Sequence, residues 1–152
     1  MRNENPFDLP LSIRKFITVA AVLAMDCEAV ILDEPTAGQD LYGIELLHNI
    51  IAELHAQGKT VITITHDIEF AAENFQRIVV MAHRQILKDG TPEEVFADEP
   101  VLNEAMLKGP CSGRLARRLN LHGEILTNEQ FLDAFCRIYE RGASNEVINK
   151  EE

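Results

Sequence analysis

Apolar positions along the chain follow two spacings, and the switches between them lay out the elements. Ile13, Phe16, Ile17, Ala20, Leu23 and Ala24 recur at helical intervals behind Ser12, a residue type suited to an N-cap. The run Ala29-Val30-Ile31-Leu32 does not alternate at all, which fits a strand buried on both faces of a parallel sheet. Asp33-Glu34-Pro35 ends that run with a pair of carboxylates and a proline. Helical spacing returns over 41–57, where Ile44, Leu47, Ile51 and Leu54 form one stripe and Gly58 supplies the stop. A second apolar run, Thr60 to Thr65, leads into His66.

The second half is punctuated more densely. Asp67 is positioned to cap a short helix reaching Phe75, and the apolar runs 78–82 and 85–88 flank His83-Arg84 as a hairpin. Thr91-Pro92-Glu93-Glu94 is a capping box with proline at the first helical position. Further helices are expected over 100–107 and 113–120. Thr127 to Gln130 forms another capping box, opening a helix to about residue 141. On it, Phe131, Leu132, Phe135, Ile138 and Tyr139 share one stripe, with Gln130, Asp133, Arg137 and Glu140 opposite. That much aromatic area on a terminal helix is expected to make a subunit contact rather than to fold back on its own domain. Residues 1–11 are polar and proline-broken, residues 143–152 are polar and expected to be disordered, and no internal repeat occurs.

Composition narrows the class of partner. At 152 residues the chain is long enough for a domain with a real core. A net charge of −11 argues against nucleic acid, whose phosphates need a basic face. The three cysteines, Cys27, Cys111 and Cys136, have no metal-ligand spacing and form no even disulfide set, so reduced thiols in the cytosol are expected. No apolar run approaches the length needed to cross a bilayer. Arg14-Lys15, the apolar stretch after them and Cys27 imitate a lipoprotein signal. Met25 and Asp26, however, stand where small residues must precede the cleavage point, so the stretch reads as a helix entering the first strand.

The candidate chemistry sits at the ends of the two apolar runs. Open α/β sheets bind ligands at the carboxyl ends of their strands. Asp33 is suited to hold a hydrated Mg²⁺, which takes one or two carboxylates plus waters and phosphates. Glu34, pointing the other way, is suited to orient or deprotonate a water for attack on a phosphoryl group. The plain alternative is an acidic loop after a core strand. His66 follows a neighbouring strand at the level of the acids; its plain alternative is a helix cap. Asp40 is suited to be the N-cap of the helix from Leu41. Gly38 fits a positive-φ turn without ligand contact. His48, His55, His83 and His122 have no partner at ligand spacing and are expected to be surface or cap residues.

Asp33-Glu34, then Thr36-Ala37-Gly38-Gln39-Asp40, then Thr60 to Asp67 resemble, in this order and spacing, the C-terminal part of an ABC transporter ATPase: Walker B with its glutamate, D-loop and switch histidine. Asn5-Pro6-Phe7, Val22-Leu23-Ala24-Met25, Asp89 to Phe96 and Arg114 to Leu119 narrow the resemblance to the ATP-binding subunits of energy-coupling factor transporters, which import cobalt, nickel and vitamins. The resemblance covers roughly residues 5 to 135. It implies an α/β fold, the C-terminal portion of a RecA-like P-loop NTPase core. Residues 1–26 would form a partial helical subdomain, 27–97 the core portion, 98–142 a helical extension and 143–152 a disordered tail.

The resemblance further implies ATP and Mg²⁺ as cofactors, with Asp33 holding the metal through water, Glu34 activating the water and His66 contacting the γ-phosphate through a neutral imidazole. Asp40 would lie near the partner's phosphate loop. The family's Leu-Ser-Gly-Gly-Gln signature falls on Leu9-Pro10-Leu11-Ser12-Ile13, where only the leucine matches, and Ser12 stands two positions on as a substitute phosphate contact. The implied partners are a second ATPase subunit, identical or not, and transmembrane subunits, at the cytoplasmic face of the membrane. No G-x-x-x-x-G-K-S/T occurs in the sequence, so the chain is expected to be a fragment that does not hydrolyse ATP alone. The alternative reading is a non-catalytic assembly or dimerisation module.

Overall fold

A computed structural model describes residue 5, residues 8–121 and residues 123–148, with side chains described except at positions 11, 12 and 139–148. His122, expected as a surface or cap residue, lies outside the described residues. The chain divides into two compact units, Met1–Asp67 and Ile68–Glu152, and the border falls inside the 27–97 segment expected to form the core portion.

The first unit contains α1 (Leu11–Leu23), β1 (Ala29–Asp33), α2 (Leu41–Ala56) and β2 (Thr60–Ile64). β1 and β2 pair in parallel, with Val30 opposite Val61 and Asp33 opposite Ile64. Two flanking bonds prolong the ladder: Thr60 N–H donates to the Glu28 carbonyl at 2.9 Å, and Glu34 N–H to that of Ile64 at 2.8 Å. α2 buries Leu47, Ile51 and Leu54, as its stripe predicts. Full burial of side chains of that size stabilises by about 2 kcal/mol each. Its first turn is closed by Asp40, whose Oδ1 accepts from Gly43 N–H at 2.8 Å. At its far end Gly58 takes the left-handed conformation, φ 74°, that terminates the helix.

Two expectations for this unit need correction. β1 is buried on one face only: Val30 and Leu32 are inside, whereas Ile31 is 65% exposed and Ile62 and Ile64 of β2 are 49% and 58% exposed. An unbroken apolar run reports that a strand has apolar side chains on both faces; it does not supply the layer that covers the second. α1 also starts earlier than expected. Pro10 occupies its N-cap position without a side-chain bond, and Ser12 lies inside the helix rather than at its cap.

The second unit holds α3 (Ile68–Asn74), the hairpin β3 (Ile78–Ala82) and β4 (Gln85–Gly90), then α4 (Pro92–Ala97), α5 (Glu99–Glu104), α6 (Cys111–Arg118) and α7 (Asn128–Ile148). His83 and Arg84 have φ of 51° and 64°. A two-residue turn with both centres left-handed matches the twist of the strands it joins, even though neither residue is glycine or asparagine. Val80, Val95, Phe96, Leu102 and Leu126 form the core, with Ile68, Ala72 and Leu87 packed against it. The expected capping box holds: Thr91 Oγ1 accepts from Glu94 N–H at 3.3 Å, and Glu94 Oε2 accepts from Thr91 N–H at 3.0 Å.

α6 begins after Pro110, which offers no side-chain cap; Glu69 of α3 supplies one instead, its Oε1 accepting from Cys111 N–H at 3.0 Å. A carboxylate at that end also meets the positive pole of the helix. Gly113 of α6 lies so close to the segment before α7 that a Cβ there would stand 2.6 Å from the Ile125 carbonyl oxygen. Ser112, buried, donates to Asn128 Oδ1 at 2.6 Å and ties the starts of the two helices together. Gln130 N–H donates to Thr127 Oγ1 at 3.2 Å while Gln130 Oε1 accepts from Leu126 and Thr127 N–H, completing the second capping motif. α7 runs past the end expected near residue 141 to Ile148, into the stretch read as a disordered tail. Of its apolar stripe, Leu132, Phe135 and Ile138 are 59%, 47% and 50% exposed, and Phe131 stacks on Phe135 with ring centroids 6.0 Å apart. The Tyr139 side chain lies outside those described.

Candidate active site

The parallel pairing brings the carboxyl ends of β1 and β2 side by side, so residues 34 and 66 leave adjacent strands at one edge. Glu34 is the first residue past β1 and its backbone is left-handed, with φ 45°. Such a conformation costs a non-glycine residue roughly 1–2 kcal/mol and persists where the surroundings fix it. Here the Glu34 N–H is held by Ile64, and its carbonyl accepts from Ala37 N–H at 3.3 Å and from Lys15 Nζ at 3.1 Å. Lys15 also donates to the Ala37 carbonyl at 2.6 Å, so one ammonium bridges two carbonyls of the same turn.

The Glu34 side chain turns towards β2. Its Oε1 lies 2.8 Å from Nδ1 of His66, and Thr65 Oγ1 donates to its Oε2 at 3.5 Å. The imidazole is 81% exposed and the carboxylate 36%, so the pair lies at the surface with its edge open to solvent. The hydrogen bond to Glu34, followed by the charge of that carboxylate, raises the His66 pKa above its usual value, with a smaller push from Asp67. This shift widens the pH range over which the ring is charged. With Nδ1 engaged by Glu34, Nε2 is the nitrogen available to an incoming group, and in the charged form it donates.

Asp33 ends β1 on the exposed side of the strand and borders a cavity of about 190 Å³ that Lys15, Phe16, Leu32, Pro35 and Gln39 also line. As a metal ligand it offers hard oxygen in the right place but stands alone: among the described residues no group of three or more histidine, cysteine or acidic side chains converges. A lone carboxylate oxygen is a donor type that Mg²⁺ accepts alongside water and phosphate oxygens. Asp40 is engaged as the α2 cap and does not meet Glu34 or His66 through any bond seen here. The Ser12 side chain, expected as a phosphate contact, lies outside those described. The turn joining these groups uses Gly38 at φ 72°, the positive-φ turn expected of it, with nothing within 4 Å of a Cβ there.

Sequence reasoning thus identifies the pair that the structure joins, Glu34 and His66, but misses Lys15. A lysine one turn into an amphipathic helix has the signature of a solvated face, and nothing in its spacing points to the turn 19 and 22 residues ahead.

The architecture is that of part of an ABC ATPase domain, a RecA-like P-loop fold. The structure of cbiO1 from Clostridium perfringens, part of the ABC transporter complex cbiONQ, superposes with a TM-score of 0.56 at 30% identity, covering 76% of this chain and 45% of that one. More narrowly, the chain is similar in sequence to energy-coupling factor transporter ATP-binding proteins. The protein EcfA2 of Mycoplasmopsis synoviae is 35% identical over 150 residues, which is 97% of this chain and 48% of that protein. EcfA2 of Methanospirillum hungatei is 40% identical over 118 residues, 78% of this chain and 30% of that protein. No protein-family model matches the chain. The chain has the fold of part of an ABC ATPase domain and is similar in sequence to the energy-coupling factor ATP-binding proteins, and it spans half or less of the length of these relatives.

Proposed function

We propose that the chain furnishes the Walker B strand, its glutamate, the D-loop and the switch histidine of an ATP-hydrolysing subunit in an importer of the energy-coupling factor kind, powering uptake of a metal ion or a vitamin. The observation that carries this reading is the 2.8 Å contact between Glu34 and His66 at the carboxyl end of a parallel strand pair. In this role Glu34 orients the attacking water and takes its proton, and His66, steadied through Nδ1, presents Nε2 to the γ-phosphate. Asp33 would hold a hydrated Mg²⁺, which when bound would offset the charge of the phosphates. Asp40, capping α2, fixes the course of the chain beside a second ATPase subunit, whose nucleotide the segment from Pro10 to Ile13 would meet.

Residues 1–26 would then be a partial helical subdomain, 27–97 core and 98–142 a helical extension. None of the described helices is long and apolar enough to cross a membrane. A relative named as a transporter ATP-binding protein supports association with a transporter; in this reading the chain would meet transmembrane subunits at the cytoplasmic face.

The second reading, a non-catalytic assembly module, is favoured by one observation: no phosphate-binding loop sequence occurs in the 152 residues. Co-expression with the phosphate-loop half of an energy-coupling factor relative separates the two. A hydrolytic role requires phosphate release from the purified pair and its loss, with nucleotide still bound, in Glu34→Gln. A stable pair that binds transmembrane subunits and releases no phosphate supports the assembly module instead.

A further inference from the structure

We propose that Lys15 is a positioning residue for the Glu34–His66 pair, transmitting the placement of α1 to the Glu34 carboxylate. The geometry rests on four bonds around one turn. Lys15 Nζ donates to the carbonyls of Glu34, at 3.1 Å, and Ala37, at 2.6 Å. Glu34 N–H is fixed on the Ile64 carbonyl at 2.8 Å, and Ala37 N–H closes the turn on the Glu34 carbonyl at 3.3 Å. Glu34 itself is held at φ 45°, a backbone conformation that side-chain-bearing residues rarely adopt.

The direction of the Glu34 side chain follows from that φ. Relaxation to the ordinary right-handed region would swing Cβ, and the carboxylate with it, away from β2. Lys15 opposes the relaxation because the turn that satisfies its ammonium is the one that needs the left-handed residue. A charged donor bridging two carbonyls makes stronger bonds than a neutral one, and its long stem reaches from α1 without requiring the helix to touch the turn. α1 and the carboxylate are therefore coupled mechanically, through backbone, with the Lys15 ammonium bonded to the Glu34 and Ala37 carbonyls rather than to the Glu34 carboxylate or the His66 ring.

This inference takes Glu34 and His66 as the working pair of the proposed function, and it is tested on the full chain without nucleotide. The ring ¹⁵N signals of His66 report the bond at Nδ1, and Glu34→Ala sets the reference for its loss. In Lys15→Met these signals are expected to move most of the way to that reference, and in Lys15→Arg, which keeps a charged donor of similar reach, to return towards wild type. Wild-type signals in a folded Lys15→Met overturn the assignment while leaving the pair intact. If Lys15→Met does not fold, Lys15→Gln carries the test, its shorter neutral amide being expected to give an intermediate shift; no shift there overturns the assignment equally. Signals that do not respond even to Glu34→Ala overturn both this inference and the site on which it rests.

Discussion

Nδ1 of His66 lies 2.8 Å from Oε1 of Glu34 across 32 residues of sequence, and the contact exists because β1 and β2 run parallel and end level. Since the bond and the carboxylate charge raise the histidine pKa above the usual 6.5, the sign of the pH effect is fixed. The contact stabilises the fold fully below the unfolded histidine value and the contribution is lost as pH rises through the raised folded value. A titration of the His66 ring protons should show a midpoint above that of a solvated histidine, and Glu34→Gln should return it to the ordinary range. An unchanged midpoint in the variant means the pair does not form in solution.

The chain by itself should release no phosphate from ATP above a Glu34→Gln control. Phosphoryl transfer depends on positioning and on charge stabilisation around the phosphates, and no G-x-x-x-x-G-K-S/T, the sequence of the loop that cradles them, occurs in the 152 residues. In an assembled pair that does turn over, loss of the base should lower the rate roughly 10²–10⁴-fold. A malachite-green assay on both preparations decides the matter, and turnover by the isolated chain would remove the need for any partner.

Gly113→Ala should destabilise the second unit by about 1–3 kcal/mol, since the added methyl has only a backbone oxygen to displace. That oxygen belongs to Ile125, next to buried Leu126, so the segment cannot retreat without opening the core. Chemical denaturation of the variant should show a lower midpoint with a similar slope; equal midpoints would mean the segment moves freely.

Leu132, Phe135 and Ile138 together expose an apolar stripe on α7, and the chain should self-associate through it. Removing residues 124–152 is the wrong test of this, because Ile125 and Leu126 are buried and would leave with the helix. Leu132→Ser combined with Ile138→Ser touches only exposed positions. Light scattering should then report a lower mass for the variant at unchanged melting temperature; an unchanged mass removes the stripe from the interface.

What was legible in the sequence is what local chemistry encodes. The α2 stripe, both capping boxes and the hairpin around His83-Arg84 follow from spacing and side-chain type within a few residues. The Glu34–His66 pair was legible because each acid or base directly follows an apolar run. Contacts set by three-dimensional placement were not. Glu69 capping α6 from 42 residues away and Lys15 bridging the turn after β1 leave no periodic trace. One-sided burial of β1 was misread for a related reason: the covering layer of a strand is a property of its neighbours, and Ile31 looks the same whether or not one is there.

That bare side of the sheet also affects how the protein is handled at the bench. Ile31, Ile62 and Ile64 offer environment-sensitive dyes, in the native state, the kind of greasy platform such probes normally find only in loosened proteins. Thermal-shift traces recorded with them should begin from high fluorescence and show a shallow rise. Fold quality is therefore better followed by circular dichroism, which is blind to that platform.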